Sequence, residues 1–308
     1  MGETAPSVAA PGRCCGFIGI VGAPNVGKST LVNALVGAKV SIVTHKVQTT
    51  RALMRGIARE GCSQLVFIDT PGIFAPKRRL DRAMVSTAWR ATQDADVIAV
   101  LLDAGRGIDV ETAAIVERLP QIRQPKVLIL NKVDLVEKPT LLALADEANK
   151  AAPFEATFMV SALARDGVED LKRWLAARAP EGPWHYPEDQ ICDTALRQLA
   201  AEITREKLYL RLHQELPYQS TVATDAWKEQ KDGSVRVEQT IYVARESQRK
   251  IVLGKGGQTI KAISEAARRE IAEISETSVH LFLFVKVREA WSEDPERYRE
   301  VGLEFPPD

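Results

Sequence analysis

The sequence predicts two domains in series. An α/β domain with a mostly parallel sheet and helices on both faces should span residues 16–180, and a smaller α+β domain residues 189–308. Three observations predict this. Short apolar runs alternate with helix-spaced stretches through the first half of the chain. Residues 177–189, "ARAPEGPWHYPED", then place three prolines and a glycine together, a break that reads as a linker over 181–188. Beyond it the element order changes to α-β-β-α-α-β. With 308 residues, 45% of them hydrophobic, the chain is long enough for two separate cores.

The strands of the first domain read as "FIGIV", "QLVFID", "VIAVLLD", "KVLILN" and "ATFMVSA", each nearly continuously apolar as a buried parallel strand should be. Helical spacing marks "LVNALVG", "ETAAIVERL", "LLALADEANKA" and "VEDLKRWLAARA" between and after them. In the second domain a long helix over 194–216 precedes strands "STVATDAW" and "VRVEQTIYV", joined through "KDGS". The loop and helix of "RKIVLGKGGQTIKAI" follow, and then the strand "VHLFLFVKV".

Composition excludes several classes. Lys plus Arg and Asp plus Glu both total 41, so any basic site must be local. Four cysteines without a CxxC pair read as reduced thiols rather than a metal or disulfide framework. No apolar run approaches the ~20 residues of a membrane span. Residues 1–15 read as a disordered tail with neither a signal-peptide pattern nor a myristoylation motif, since Pro6 stands where that motif needs Ser or Thr.

"GAPNVGKS" fits G-x-x-x-x-G-K-[ST] between an apolar strand and an amphipathic helix. Successive N–H groups through Gly22, Ala23, Pro24, Asn25, Val26 and Gly27 to Thr30 form an anion nest, proline's missing N–H excepted. Lys28 reaches the β- and γ-phosphates, and the Ser29 hydroxyl is a Mg²⁺ ligand. "DTPG" follows the strand "QLVFI": Asp69 can hold Mg²⁺ through water, and the Gly72 N–H can sense the γ-phosphate beside Thr70, Pro71 and Ile73. "NKVD" then selects the base. The Asp134 carboxylate accepts from N1–H and N2–H₂ of guanine, leaving a buried carboxylate unpaired with adenine, while Asn131 and the Lys132 stem support the ring. "SAL", Ser161, Ala162 and Leu163, can offer N–H groups to guanine O6. Four motifs in order, each at a strand's end, identify the ligand as GTP or GDP with Mg²⁺.

Between the first two motifs, "VSIVTHKVQTTR" occupies the place of a mobile switch, where a threonine joins Mg²⁺ while the γ-phosphate is present. Thr49 and Thr50 are both candidates. Lys28, Thr50, Asp69 and Gly72 form the candidate catalytic set. Ile73 stands where Ras-like proteins carry a water-orienting glutamine, so slow hydrolysis is expected. Asn25 is a candidate for a bound K⁺, against the plainer reading that it tolerates a tight turn.

The second glycine loop, Gly254, Lys255, Gly256 and Gly257, lacks the G-K-[ST] ending and fits GxxG, the loop with which KH domains clamp about four nucleotides by the backbone. Seven basic and two acidic residues lie between 245 and 269, although residues 186–308 are net acidic. Arg249, Lys250, Lys255, Lys261 and Arg268 are the candidate RNA contacts. The stripe Ile260, Ile263, Ala267, Ile271 and Ile274 packs the following helix on a sheet. In the last strand Phe282 and Phe284 are expected in the core rather than stacking bases.

With these motifs, "YPED" and "VHLFLFVKVREAW", residues 16–303 resemble the Era family, bacterial GTPases that assist small-subunit ribosome maturation. The resemblance implies a P-loop GTPase domain followed by a type II KH domain that binds the 3′ end of 16S rRNA in a GTP-dependent way. It further implies association with the 30S subunit and a cytoplasmic location, partly peripheral on the inner membrane. A monomer that binds no DNA is expected. Two readings compete: a hydrolysing switch, and an RNA-binding assembly module in which the nucleotide is mainly structural.

Overall fold

The computed structural model describes residues 12–44, 46, 49–51, 53–212, 216–289, 303 and 305. The tail expected from sequence lies mostly outside these residues, as does Gln48 of the switch.

Among the described residues the first domain contains β1 (Cys14–Val21), α1 (Lys28–Val36), β2 (Met54–Glu60), β3 (Ser63–Asp69), α2 (Arg79–Gln93), β4 (Val97–Asp103), α3 (Val110–Val116), β5 (Lys126–Asn131), α4 (Lys138–Ala151), β6 (Ala156–Val160) and α5 (Val168–Ala176), with short 3-10 turns at Leu119–Gln121 and Val133–Leu135. The sheet order is β2-β3-β1-β4-β5-β6, parallel except for β2 against β3. Every residue of β3, β4 and β5 is buried, which is why these strands read as unbroken apolar runs. The carboxyl ends of β1, β3, β5 and β6 bring the four motifs to one edge of the sheet, where ligands of such sheets bind.

One boundary expectation is corrected. Cys14 and Cys15, assigned to the tail, are ladder residues of β1 opposite Ser63 and Gln64 of β3. The linker over 181–188 is docked on the first domain. The Gly182 N–H donates to the Arg13 carbonyl at 2.9 Å, and the Trp184 indole N–H to the Cys62 carbonyl at 3.1 Å. The Gln64 side chain accepts from the His185 and Tyr186 N–H groups (3.0 and 3.1 Å) and donates to the Tyr186 carbonyl at 2.9 Å. Beyond it, Ile57 donates to the Ile191 carbonyl (2.8 Å), and Gly56 and Cys192 form an antiparallel bridge. The proline-rich strap thus covers the open edge of β2. Prolines forbid helix here, but they do not prevent docking.

The second domain comprises α6 (Leu196–Arg211), β7 (Ser220–Glu229), β8 (Val235–Val243), α7 (Glu246–Leu253), α8 (Gln258–Ser275) and β9 (Val279–Val287), in the α-β-β-α-α-β order expected. The sheet order is β7-β8-β9, with β8 and β9 parallel because α7 and α8 supply the crossover. Leu199 and Ile203 of α6 and Ala267 and Ile271 of α8 pack on Val237 of β8. The alternation of β9 is inverted relative to expectation. Its aliphatic residues face the helices, whereas Phe282 and Phe284 are 41% and 48% exposed. Among the described residues no helix is long and apolar enough to cross a membrane.

Candidate functional site

Residues of the four motifs surround a cavity of about 440 Å³ at the carboxyl edge of the first sheet. The loop from β1 to α1 can exist only with glycine at two points. A Cβ on Gly22 would lie 2.5 Å from the Leu101 carbonyl oxygen, and one on Gly27, at φ +99°, would lie 2.3 Å from Asn131 Nδ2. Asn131 explains that closeness. Its amide donates to the Val26 carbonyl (2.8 Å) and accepts from the Ala162 N–H (3.0 Å), stapling the phosphate loop to the "NKVD" and "SAL" segments. Of the "SAL" N–H groups expected to be available to guanine O6, that of Ala162 is therefore engaged by Asn131.

The Lys28 ammonium is buried and donates to the Gly22 and Ala23 carbonyls at 3.0 and 2.9 Å. Burial lowers its pKa to about 8, against the opposing pull of Asp69 and Glu111. Ser29 donates to Asp69 Oδ2 at 2.7 Å, and the Thr50 hydroxyl lies 2.8 Å from that of Ser29. Thr49 instead pairs with the Thr44 hydroxyl at 2.6 Å and donates to the Lys46 carbonyl at 2.7 Å. Of the two threonines, then, the structure brings Thr50 to Ser29 and Asp69. Asp69 is fully buried, its pKa raised by that burial, and its Oδ1 has no hydrogen-bond partner. A hard oxygen set with an orphaned carboxylate oxygen suits Mg²⁺ and its water shell.

On the base side, Lys132 adopts φ +65° and donates to Asp103 Oδ2 at 2.6 Å and to the Asn25 carbonyl at 2.8 Å. This stretches its stem along the wall of the cavity. Asp134 lies exposed at the rim rather than buried, so guanine itself would have to cover it. Asn25 sits at φ +63°, which fits the plainer turn reading of that residue. Ala23, Val26, Thr70 and Ile73 turn their side chains into the domain interior. Gly22, Asp69 and Pro71 are buried as well and do not line the cavity. Ile73 is a core residue, and its N–H donates to the Gly22 carbonyl at 3.1 Å.

The switch segment is tied to the second domain. Lys39 pairs with Glu206 of α6 at 2.8 Å, and the Val43 N–H donates to the same carboxylate at 2.8 Å. Arg51, next to Thr50, is buried and donates to the Ser220 carbonyl (2.8 Å), the Tyr209 hydroxyl (2.7 Å) and the Pro217 carbonyl (3.3 Å). Lys46 donates to the Tyr209 and Leu212 carbonyls and Arg205 to the Thr49 carbonyl.

In the second glycine loop, Gly254, Gly256 and Gly257 all have positive φ. A Cβ on Gly254 would strike the Thr259 hydroxyl at 2.2 Å, whereas one on Gly256 or Gly257 would meet nothing within 4 Å. The loop is open to a close backbone approach at the N-terminus of α8. Lys255 in the loop, Lys250 in α7 and Lys261 in the first turn of α8 are exposed, as is Arg268, about three turns from the start of α8. Arg249 is held by Glu246 at 2.9 Å.

Comparison with known proteins agrees with both halves. Residues 17–132 match the family model described as a 50S ribosome-binding GTPase, and residues 215–292 match a KH domain model. GTPase Era of Bradyrhizobium sp. (strain BTAi1) is 65% identical over 305 residues, covering 98% of this chain and 99% of that protein. The chain belongs to the Era family of GTPases. Era of Brucella suis biovar 1 is 66% identical over 291 residues, 94% of each chain. A crystal structure of Era with MgGDPNP and nucleotides 1506–1542 of 16S ribosomal RNA superposes with a TM-score of 0.89 at 36% identity, covering 94% of this chain and 99% of that one. A variant of Aquifex aeolicus Era bound to GDP·AlF₄⁻ matches with the same score and coverage.

Within this Era-family site, sequence reasoning missed Asp103, which anchors Lys132, and Arg106, which donates to the Pro24 carbonyl at 2.9 Å. The aspartate ending "VIAVLLD" was the available signal: a lone acid closing a buried strand at the ligand edge. Ile42, Val43 and Thr44 of the switch stretch and Leu135 next to "NKVD" also line the cavity, although none was singled out as a contact.

Proposed function

We propose that this Era-family protein is a GTP-gated RNA-binding switch that holds the 3′ end of 16S rRNA through its KH domain and assists 30S subunit maturation. The observation carrying this reading is the adjacency of Thr50 and Arg51. One touches Ser29 at 2.8 Å, and the other donates into the second domain. Movement of this segment with the state of the γ-phosphate would therefore pull on α6. Ser29, Asp69 and Thr50 would hold Mg²⁺, which when bound offsets the charge of the β- and γ-phosphates. Lys28 binds those phosphates, Gly72 offers its N–H toward the γ-position, and Asp134 selects guanine. Arg249, Lys250, Gly254, Lys255, Gly256, Gly257, Lys261 and Arg268 are the RNA-binding set, clamping the RNA backbone at the GxxG loop.

Turnover is slow in this reading because Ile73 has no group to orient water and is packed in the core. A K⁺ ion near Asn25 would add the missing charge. Peripheral attachment to the inner membrane completes the proposal, and dependence of turnover on K⁺ over Na⁺ would test the cation part. The burial of Ile73 also favours the second reading, an assembly module with incidental hydrolysis.

One measurement separates the two: affinity for the single-stranded 3′ tail of 16S rRNA at fixed salt, for protein loaded with a non-hydrolysable GTP analogue, with GDP, or with neither. Fixed salt is needed because phosphate contacts to single strands scale with log salt at roughly 0.7 per charge neutralised. The switch reading expects at least tenfold tighter binding with the analogue, ~1.4 kcal/mol. Equal binding in all three states would sink it.

A further inference from the structure

Strand β9 carries an outward row, His280, Phe282, Phe284 and Lys286, to which the GTP-gated reading gives no task. The two phenylalanines are 41% and 48% exposed on the edge strand of their sheet. Exposed apolar rings on a sheet edge are an aggregation liability, so they mark a surface with a use. Two residues apart on a strand, their rings stand roughly 6.6 Å from each other along it, close to the reach of one nucleotide in a splayed single strand. Arg236 of β8, opposite His280, places its guanidinium 4.4 Å over the Phe282 ring. The row itself contains no acid; Glu238, opposite Phe282, is paired to Arg236 at 2.8 Å, and Asp232 interacts electrostatically with His280 at one end of the row.

The row and the glycine loop lie on opposite faces of β9, the edge strand of the sheet. Leu283 and Val285, on the inner face of β9, pack against Val252 of α7, and α7 ends at Gly254. RNA leaving the loop would reach the aromatic row by passing round the free edge of β9.

We infer that this row is a second single-stranded RNA subsite, which takes the nucleotides beyond those clamped by GxxG. Bases stack on Phe282 and Phe284, and phosphates lie toward Lys286 and Arg236. Flat exposed rings, flanking cations and a stacked guanidinium are the chemistry of sequence-tolerant single-strand binding. A protein partner of the same face would more commonly be met by an apolar patch without this cationic border. The inference rests on the RNA-binding reading of the GxxG loop.

The test uses the full chain loaded with GTP analogue at fixed salt, with four- and ten-nucleotide RNAs from the 16S rRNA 3′ tail. The ten-mer should bind wild type more tightly than the four-mer. Phe282→Ala with Phe284→Ala should weaken the ten-mer about tenfold or more and leave the four-mer within twofold. In a Phe284→Trp variant, the ten-mer and not the four-mer should quench the added fluorescence. Wild-type affinities for both RNAs in the double variant would overturn the subsite. So would loss of binding to anionic phospholipid vesicles with ten-mer affinity intact, which would assign the row to a membrane. Gly256→Asp should abolish binding of both RNAs. If it leaves both unchanged, the GxxG reading fails instead, and the two failures are distinguishable.

Discussion

Arg51 donates to the Tyr209 hydroxyl at 2.7 Å, joining the switch segment of the GTPase domain to helix α6 of the KH domain. Burial lowers the pKa of this guanidinium, and the Tyr209 hydroxyl and the Ser220 and Pro217 carbonyls offset part of that cost. Arg51→Ala should leave guanine-nucleotide affinity within about threefold while bringing RNA affinity of the analogue-loaded protein down to the GDP value. Losing a buried charged hydrogen bond should also cost ~1.5–3 kcal/mol of stability. Titration of labelled RNA against each nucleotide form, with urea melts alongside, reads both effects.

Asp134 should control the base. Asp134→Asn replaces two acceptors with an acceptor and a donor, matching the 2-keto group of xanthine in place of the 2-amino group of guanine. GDP affinity should fall at least ~100-fold, about 2.7 kcal/mol, with XDP binding in its stead. Competition between the two nucleotides measures it directly.

Lys28 should give the nucleotide-free protein an alkaline stability rise. Burial holds its folded-state pKa near 8, below the ordinary 10.5. Below pH 8 the group is charged in both folded and unfolded chains, and the burial penalty is complete and constant. Between those two values the unfolded chain holds more protons, so stability climbs with pH, by up to ~3 kcal/mol at 1.36 kcal/mol per unit. Lys28→Met should abolish the rise, as urea melts from pH 7.5 to 9.5 would reveal. Phosphates favour the charged lysine, so GDP binding at pH 9 should take up a proton, visible by calorimetry in two buffers.

Ile73→Gln tests whether the glutamine alone is what hydrolysis lacks. Ile73 is 6% exposed and packed in the core, so the new amide would be buried away from the cavity. The variant should lose ~2 kcal/mol of stability and gain less than threefold in single-turnover hydrolysis. A gain of a hundredfold would mean that the loop turns this side chain outward when GTP binds.

The nucleotide site was legible because its chemistry is local. Gly27, Lys28 and Ser29 act from one loop, and each remaining motif ends a strand whose apolar run is unmistakable. What was hidden depends on distant partners. Strand β2, "MRGIARE", carries three charges, Arg55, Arg59 and Glu60, among its seven residues, and pairing with β3 makes it a strand. Arg51 looks like any solvated switch residue until α6, more than 150 positions away, surrounds it. Phe282 and Phe284 alternate with aliphatic residues of equal hydrophobicity, so periodicity located both faces of β9 without telling which was inside. Asn131 was visible as the first residue of "NKVD", but its role as a staple between loops required the Val26 and Ala162 contacts to be seen.

The strap over β2 also sets an order of events at synthesis. The first sheet has all six strands once residue 160 has emerged, yet the free side of Ile57 waits for Ile191 and that of Gly56 for Cys192. At roughly 5–20 residues per second, the residues from 160 to 193 keep that edge bare for about two to seven seconds. A nascent chain stalled or cleaved at the prolines would keep an adhesive strand facing its neighbours, so the GTPase half becomes sociable or self-contained according to whether residue 193 has arrived.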